Sequence, residues 1–287
     1  MPFGELIREA FRIAARHRYL WPFGLFASTL LGGNFNFRTG PHSQVEPSHA
    51  LVVAGLILFV VFAVGGVISH GGLPKAVVAI RAGRRPGFRD TWREGLSSFW
   101  HVVVFGLLVF AIFIGLFFAL FMPLGIVVGV VFVATHASAA RVAVLVVAGV
   151  VLIVAWVVFV LGGLLVGQHA LREVVLSRRR PVEALRRGVA LVRGRVGESI
   201  ALVMVQFGVT LGAAIVLWLI LGLLALPAIL LIVSGGGTAT VVVAVVTGVV
   251  VVPLALTGTG AIGTFSNAYW TLAYLRLAPQ PPSERPY

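Results

Sequence analysis

Of the 287 residues, 59% are hydrophobic and only 11% charged, and the mean hydropathy is +1.06. A soluble domain carries about 25% charged residues and keeps much of its surface in water, so this composition excludes a cytosolic globular protein, a disordered chain and a fibrous repeat. The formal charge is +13 with no cysteine, which removes disulfide, thiolate and Cys-metal chemistry and turns the question of charge from nucleic acid to membrane sidedness.

A membrane-crossing helix needs about 20 apolar residues. The chain opens with an amphipathic stretch: Phe3, Leu6, Ile7, Ala10, Phe11 and Ala14 recur on one helical face, and Glu5, Arg8, Glu9, Arg12 and Arg16 lie off it. The spacing Glu5–Arg8 and Glu9–Arg12 suits i,i+3 ion pairs. The apolar run Tyr19–Gly33 follows as a first, short span. The basic-then-apolar order resembles a secretory signal, but Pro22 interrupts the run and no A-x-A site follows, so the expectation is an uncleaved chain. Further spans are expected at Ala50–Ser69, Val102–Phe121, Val142–Val166, Ser199–Leu226 and Ala239–Leu256, with Pro123, Pro227 and Pro253 as candidate ends or kinks. Between them lie two more amphipathic stretches. Phe88, Trp92, Leu96, Phe99 and Trp100 oppose Arg89, Asp90, Arg93 and Glu94 after Pro86. Val182, Leu185, Val189, Val192 and Val196 oppose Arg186, Arg187, Arg193 and Arg195 after Pro181. Proline suits the first turn of a helix. Residues 276–287 read as a short disordered tail.

The predicted architecture is all-α: a polytopic membrane protein of about six transmembrane helices with three interfacial amphipathic helices. Alternate segments hold 20 of the 22 basic residues, and only Arg38 and Arg141 fall on the other side. By the positive-inside rule this puts both termini and all three amphipathic helices in the cytoplasm, and requires an even number of spans. One amphipathic helix followed by two apolar runs recurs three times, as 1–83, 84–178 and 179–275 within one membrane domain, 1–275. Arg84-Arg85-Pro86 and Arg179-Arg180-Pro181 stand 95 residues apart. Generic amphipathicity would produce much of this pattern as well, so true repetition and coincidence both stay open.

The five long runs contain no Asp, Glu, Lys or Arg, which argues against a proton-driven pump, a voltage sensor and an aspartyl intramembrane protease. There is no P-loop, H-E-x-x-H or G-x-S-x-G motif. His42, His49 and His136 share the outer side and would suit zinc only if folding gathered them; scattered loop histidines are the simpler reading, and no metal or cofactor is expected. Gln206 and Thr210, one turn apart in a span, either line a solute path or bond across to a neighbouring helix. Gly125-x-x-x-Gly129 and Gly208-x-x-x-Gly212 permit close helix approach. Ser234–Thr238 reads as an external turn rather than a selectivity loop. The densest basic cluster, Arg172, Arg178, Arg179, Arg180, Arg186, Arg187, Arg193 and Arg195, suits anionic headgroups or an acidic partner.

Phe265-Ser266-Asn267-Ala268-Tyr269-Trp270-Thr271-Leu272-Ala273-Tyr274-Leu275-Arg276-Leu277 and Arg16-His17-Arg18-Tyr19-Leu20-Trp21-Pro22-Phe23-Gly24, with the six-span layout, resemble a family of uncharacterised prokaryotic multi-pass proteins. That family is similar to the membrane domain of glycerophosphodiester phosphodiesterases. The resemblance implies a membrane domain without the catalytic barrel, for which this chain has no room. His17-Arg18 is similar to a dipeptide of that barrel but lacks its acidic metal ligands. The expectation is a non-enzymatic inner-membrane protein that binds anionic lipid of the cytoplasmic leaflet, a protein partner or a second copy of itself. Passive transport of a small or lipidic solute is the alternative, and nucleic acid is not an expected partner.

Overall fold

The computed structural model describes residues 3–32, 49–134, 138–235 and 237–278. Nearly every described residue is helical: α1 (Phe3–Arg16), a 3-10 turn (Arg18–Leu20), α2 (Trp21–Gly32), α3 (His49–Arg81), α4 (Phe88–Ser97), α5 (Phe99–Ala134), α6 (Ser138–Ser177), α7 (Pro181–Gly194), α8 (Val196–Val233) and α9 (Gly237–Leu277). No strand occurs among the described residues. Five helices, α3, α5, α6, α8 and α9, are long and apolar enough to cross a membrane, which makes the protein an all-α, multi-pass membrane protein.

The stretch expected as a sixth span is helical as far as it is described. Its first residues form the 3-10 turn, and α2 has 12 residues. At 1.5 Å per residue the described part of α2 covers about 18 Å of a hydrocarbon core of about 30 Å. Gly33 lies outside the described residues. The long helices also run past the expected apolar limits. Pro74, Pro123, Pro227 and Pro253 all lie inside helices rather than at their ends. The tail begins later than expected, because Arg276 and Leu277 complete α9; residues 279–287 lie outside the described set.

The contacts divide the chain into two units, residues 1–100 with 197–287 and residues 101–196. In the first unit the core gathers on the last four turns of α9, where Phe265, Ala268, Tyr269, Trp270, Leu272, Ala273 and Tyr274 are buried. Helices α1, α2 and α3 all pack on α9. Crossing of α2 over α9 depends on glycine. A Cβ at Gly263 would stand 2.1 Å from the Gly24 carbonyl oxygen, and one at Gly24 would stand 2.1 Å from the Gly260 oxygen. Thr264 Oγ1 donates to Leu20 O (3.0 Å) and Trp21 Nε1 to Ala14 O (2.8 Å), pinning the turn between α1 and α2. The glycine pairs picked out in sequence do not pack this way. Gly125, Gly129, Gly208 and Gly212 have open space where a Cβ would go.

In the second unit α5 and α6 share an aromatic cluster in which Phe113, Phe117, Phe121 and Phe159 surround Trp156. Helix α7 folds back on the far end of α6. One motif runs through three membrane helices. The polar pairs Ser69-His70, Gln168-His169 and Ser266-Asn267 fall near the Arg-rich ends of α3, α6 and α9, and Ser69, His70, His169 and Asn267 are buried.

Candidate functional site: three amphipathic helices at the Arg-rich helix ends

Helices α4 and α7 pack through faces that their hydropathy does not single out, whereas α1 packs through part of its expected apolar face. Helix α4 begins at Gly87, whose N–H donates to Asp90 Oδ2 (2.9 Å), and Thr91 Oγ1 donates back to Gly87 O (3.0 Å). Its buried face is Thr91 and Gly95, continued by Ser98, against α3. A Cβ on Gly95 would meet Ile68 O at 2.4 Å, and one on Gly72 would meet Thr91 O at 2.5 Å. Lys75 Nζ locks the pair, donating to Glu94 Oε2 (2.9 Å) and Ser97 Oγ (3.1 Å). The large residues expected to seat the helix point elsewhere: Phe88 and Leu96 are exposed and Trp100 is 72% exposed. Phe88 touches Phe23 (ring centroids 4.9 Å apart) and stacks on half-buried Trp92. Close by, burial and then the Asp90 carboxylate push the Tyr19 phenol above its ordinary value of 10.0.

Helix α7 repeats this construction on α6. Pro181 opens it, and Ala184 and Gly188 are its buried residues. A Cβ on Gly188 would stand 3.0 Å from Val166 O. Val182 and Val196 are exposed, and Leu185, Val189 and Val192 are half-buried. Helix α1 buries Leu6, Ala10, Ile13 and Ala14 and leaves Phe11 outward. The ion pairs expected within α1 do not form among the described residues. Instead Arg276 of α9 reaches Glu5 (3.8 Å) and Glu9 (3.5 Å), and Arg81 of α3 reaches Glu9 (3.6 Å). The acidic residues hold the helix to its neighbours and leave the arginines outward.

At 100° per residue the three helices share one rotational order. Around α4 it runs from the buried Thr91 and Gly95 to Phe88, Trp92 and Leu96, then Arg89 and Arg93, then Glu94. In α7 the order is Ala184 and Gly188, then Leu185, Val189 and Val192, then Arg186 and Arg193, then Glu183. In α1 it is Leu6 and Ala10, then Ile7 and Phe11, then Arg8 and Arg12, then Glu9. The first face packs, small in α4 and α7 and partly large (Leu6, Ile13) in α1; the apolar and cationic faces follow side by side, and acidic residues close the circle as ties.

The arginines expected to bind lipid separate into two groups. Arg172 is withdrawn from that role: it is 1% exposed under α7, and its Nη1 donates back to the Gln168 carbonyl (2.8 Å) and side-chain oxygens. Arg179 is half-buried and bridges Glu173 (3.4 Å), itself buried, to Glu183; Arg187 lies 4.0 Å from Glu183. Arg178 (φ 49°), Arg180, Arg186 and Arg193 are exposed and have no acidic partner among the described residues. Arg195 is exposed at the end of α7, its N–H donating to Val192 O (3.2 Å).

The Gln206–Thr210 pair proves to be a helix tie. Gln206 Nε2 donates to Ser266 Oγ on α9 and to Thr210 Oγ1 (3.4 Å), and a turn away Tyr269 Oη donates to Leu202 O (3.0 Å). Thr210 also borders a 300 Å³ cleft, in which it is the one polar lining residue. In the Ser234–Thr238 stretch Gly235 (φ 72°) and Gly237 (φ 55°) take left-handed backbone, which suits a turn, and Gly236 lies outside the described residues. His49 begins α3, whereas His42 and His136 lie outside the described residues. No group of three metal-ligating side chains occurs among the described residues. Compared with family models, with curated proteins and with solved structures, the chain has no match.

The sequence reading overlooked the small faces Thr91/Gly95 and Ala184/Gly188. Their signal was two small residues at i,i+4 beside the apolar stripe, the pattern that lets helix backbones approach.

Proposed function

We propose that the chain is a non-catalytic, multi-pass protein of the inner membrane, with both termini cytoplasmic and basic amphipathic helices that hold anionic lipid of the cytoplasmic leaflet. One observation carries this reading. Helices α4 and α7 pack through their small faces, which leaves apolar side chains outward next to arginines that lack an acidic partner among the described residues. An apolar face for the acyl boundary beside a cationic face for headgroups is the arrangement of an interfacial helix. Each exposed arginine near an anionic surface adds about 1 kcal/mol.

The distribution of 20 of 22 basic residues onto alternate segments supports the orientation, with the α2 segment as the sixth crossing beside the five long helices. The shared rotational order of α1, α4 and α7 supports three structural repeats, 1–83, 84–178 and 179–275, in one membrane domain. The resemblance to the membrane domain of glycerophosphodiester phosphodiesterases points the same way, to a membrane domain with no chemistry of its own. Passive solute transport would need the cleft at Thr210 to continue as a polar file, and its other lining residues are apolar.

Replacing Arg178, Arg180, Arg186 and Arg193 with Gln tests the reading. The ratio of phosphatidylglycerol to phosphatidylcholine retained per chain, measured by mass spectrometry after purification from mixed liposomes, is expected to fall at least fivefold. An unchanged ratio contradicts lipid binding by α7 and transfers the surface to an acidic protein partner or a second copy.

A further inference from the structure

The cleft beside Thr210 belongs to a different part of the molecule from the α4 and α7 surfaces. It lies between the outward apolar sector of α1 (Ile7, Phe11, Ala15), Trp21, the α8 residues Val209 and Ala213, and Ile262 of α9. Its volume of 300 Å³ is at the lower end of ligand sites. A space with this lining offers water almost no hydrogen-bond partners. Phe11, on its rim, is 65% exposed, so the cleft is open at the side where α1 meets its surroundings.

Charge borders the apolar space. On α1 the arginines Arg8 and Arg12 follow Ile7, Phe11 and Ala15 in the rotational order, are exposed, and have no acidic partner among the described residues. Trp21, a wall of the cleft, carries the Arg18 guanidinium over its ring at 5.8 Å from the centroid. Thr210, the polar residue of the lining, stands at the α8 wall of the same space. Guanidinium groups and a dry apolar slot thus occur together. An anionic phospholipid presents the complementary pair: a phosphate and an acyl chain.

We infer that this cleft is a stoichiometric site for one acyl chain of an anionic phospholipid, with the phosphate held by Arg12 and Arg18. The site extends the lipid-binding reading to a single specific position and rests on different residues. A bulk effect of surface charge gives many weak lipids, whereas a slot filled by one chain gives one lipid that resists removal.

Native mass spectrometry of the delipidated full chain, titrated with phosphatidylglycerol or with phosphatidylcholine of the same chains, tests this. Wild type is expected to bind one phosphatidylglycerol well ahead of any second. Filling the slot from opposite walls, in separate variants Ala213→Phe and Ala15→Phe, is expected to abolish that first binding event while thermal unfolding in detergent stays cooperative. The double variant Arg12→Gln/Arg18→Gln is expected to reduce the preference for phosphatidylglycerol over phosphatidylcholine by a factor of five or more. Undiminished single-lipid binding in both folded Phe variants overturns the site. So does equal binding of the two lipids by wild type. The α7 variant with Arg178, Arg180, Arg186 and Arg193 replaced is expected to keep this first lipid, so failure of the α7 surface and failure of the cleft give different results.

Discussion

The two halves of α9 obey opposite rules. Through Val241–Leu256 large apolar side chains are largely exposed, with Val241, Val245, Val246 and Val249 all above 60%. From Gly263 to Leu277 nearly every residue is buried, including Thr264, Asn267 and Thr271. In water the first half would be an aggregation site. In a bilayer it faces solvent of its own polarity, and helix association gains nothing from hiding it. At 41 residues α9 is about 60 Å long, roughly twice a hydrocarbon core of about 30 Å, and wherever it leaves the lipid, burial and hydrogen bonds give net stability. The fold is therefore held together at the Arg-rich ends, and the amphipathic helices are part of that scaffold as well as its surface.

Glycine substitutions break the comparison most severely. Gly263→Leu drives a side chain into the Gly24 carbonyl, and is expected to cost about 3 kcal/mol or more, seen as loss of monodisperse protein in fluorescence-detected size exclusion. Gly208→Leu, which meets open space, is expected to change stability by less than about 0.5 kcal/mol. Next comes Arg179→Gln, which leaves the buried Glu173 carboxylate without its ion pair and is expected to cost about 2 kcal/mol, visible as a lower midpoint of thermal unfolding. Arg186→Gln should leave that midpoint unchanged, because Arg186 is exposed and has no acidic partner among the described residues. A smaller loss than that of Arg179→Gln is expected for Tyr269→Phe, about 1 kcal/mol for the lost hydrogen bond to Leu202 O.

Five of the long helices and the existence of all three amphipathic helices were legible in the sequence, because apolar run length and 3.6-residue periodicity report them directly. The contact face was not. The residues Phe88, Trp92 and Leu96 carry the larger hydropathy signal, yet close packing of two helix ends rewards Thr91 and Gly95, which let the α3 and α4 backbones meet. Similarly, small-xxx-small spacing at Gly125 and Gly208 says that a close approach is allowed, not that a neighbour is there. Arg172 was misread because a topology count treats every arginine as solvated. Its flanks, Ala170-Leu171 and Val174-Val175, were the available sign that α6 continues and that this part of it is covered.

The outward face of α4 is the claim on which the membrane-surface reading depends, and the cysteine-free chain makes it directly measurable. Single cysteines at Phe88, Leu96, Arg89 and Arg93, spin-labelled in anionic liposomes, report depth through relaxation by oxygen against a water-soluble nickel chelate. Labels at Phe88 and Leu96 are expected to favour oxygen, and those at Arg89 and Arg93 the chelate. Equal chelate access at all four positions would contradict the account, because α4 would then stand in water with its apolar face uncovered.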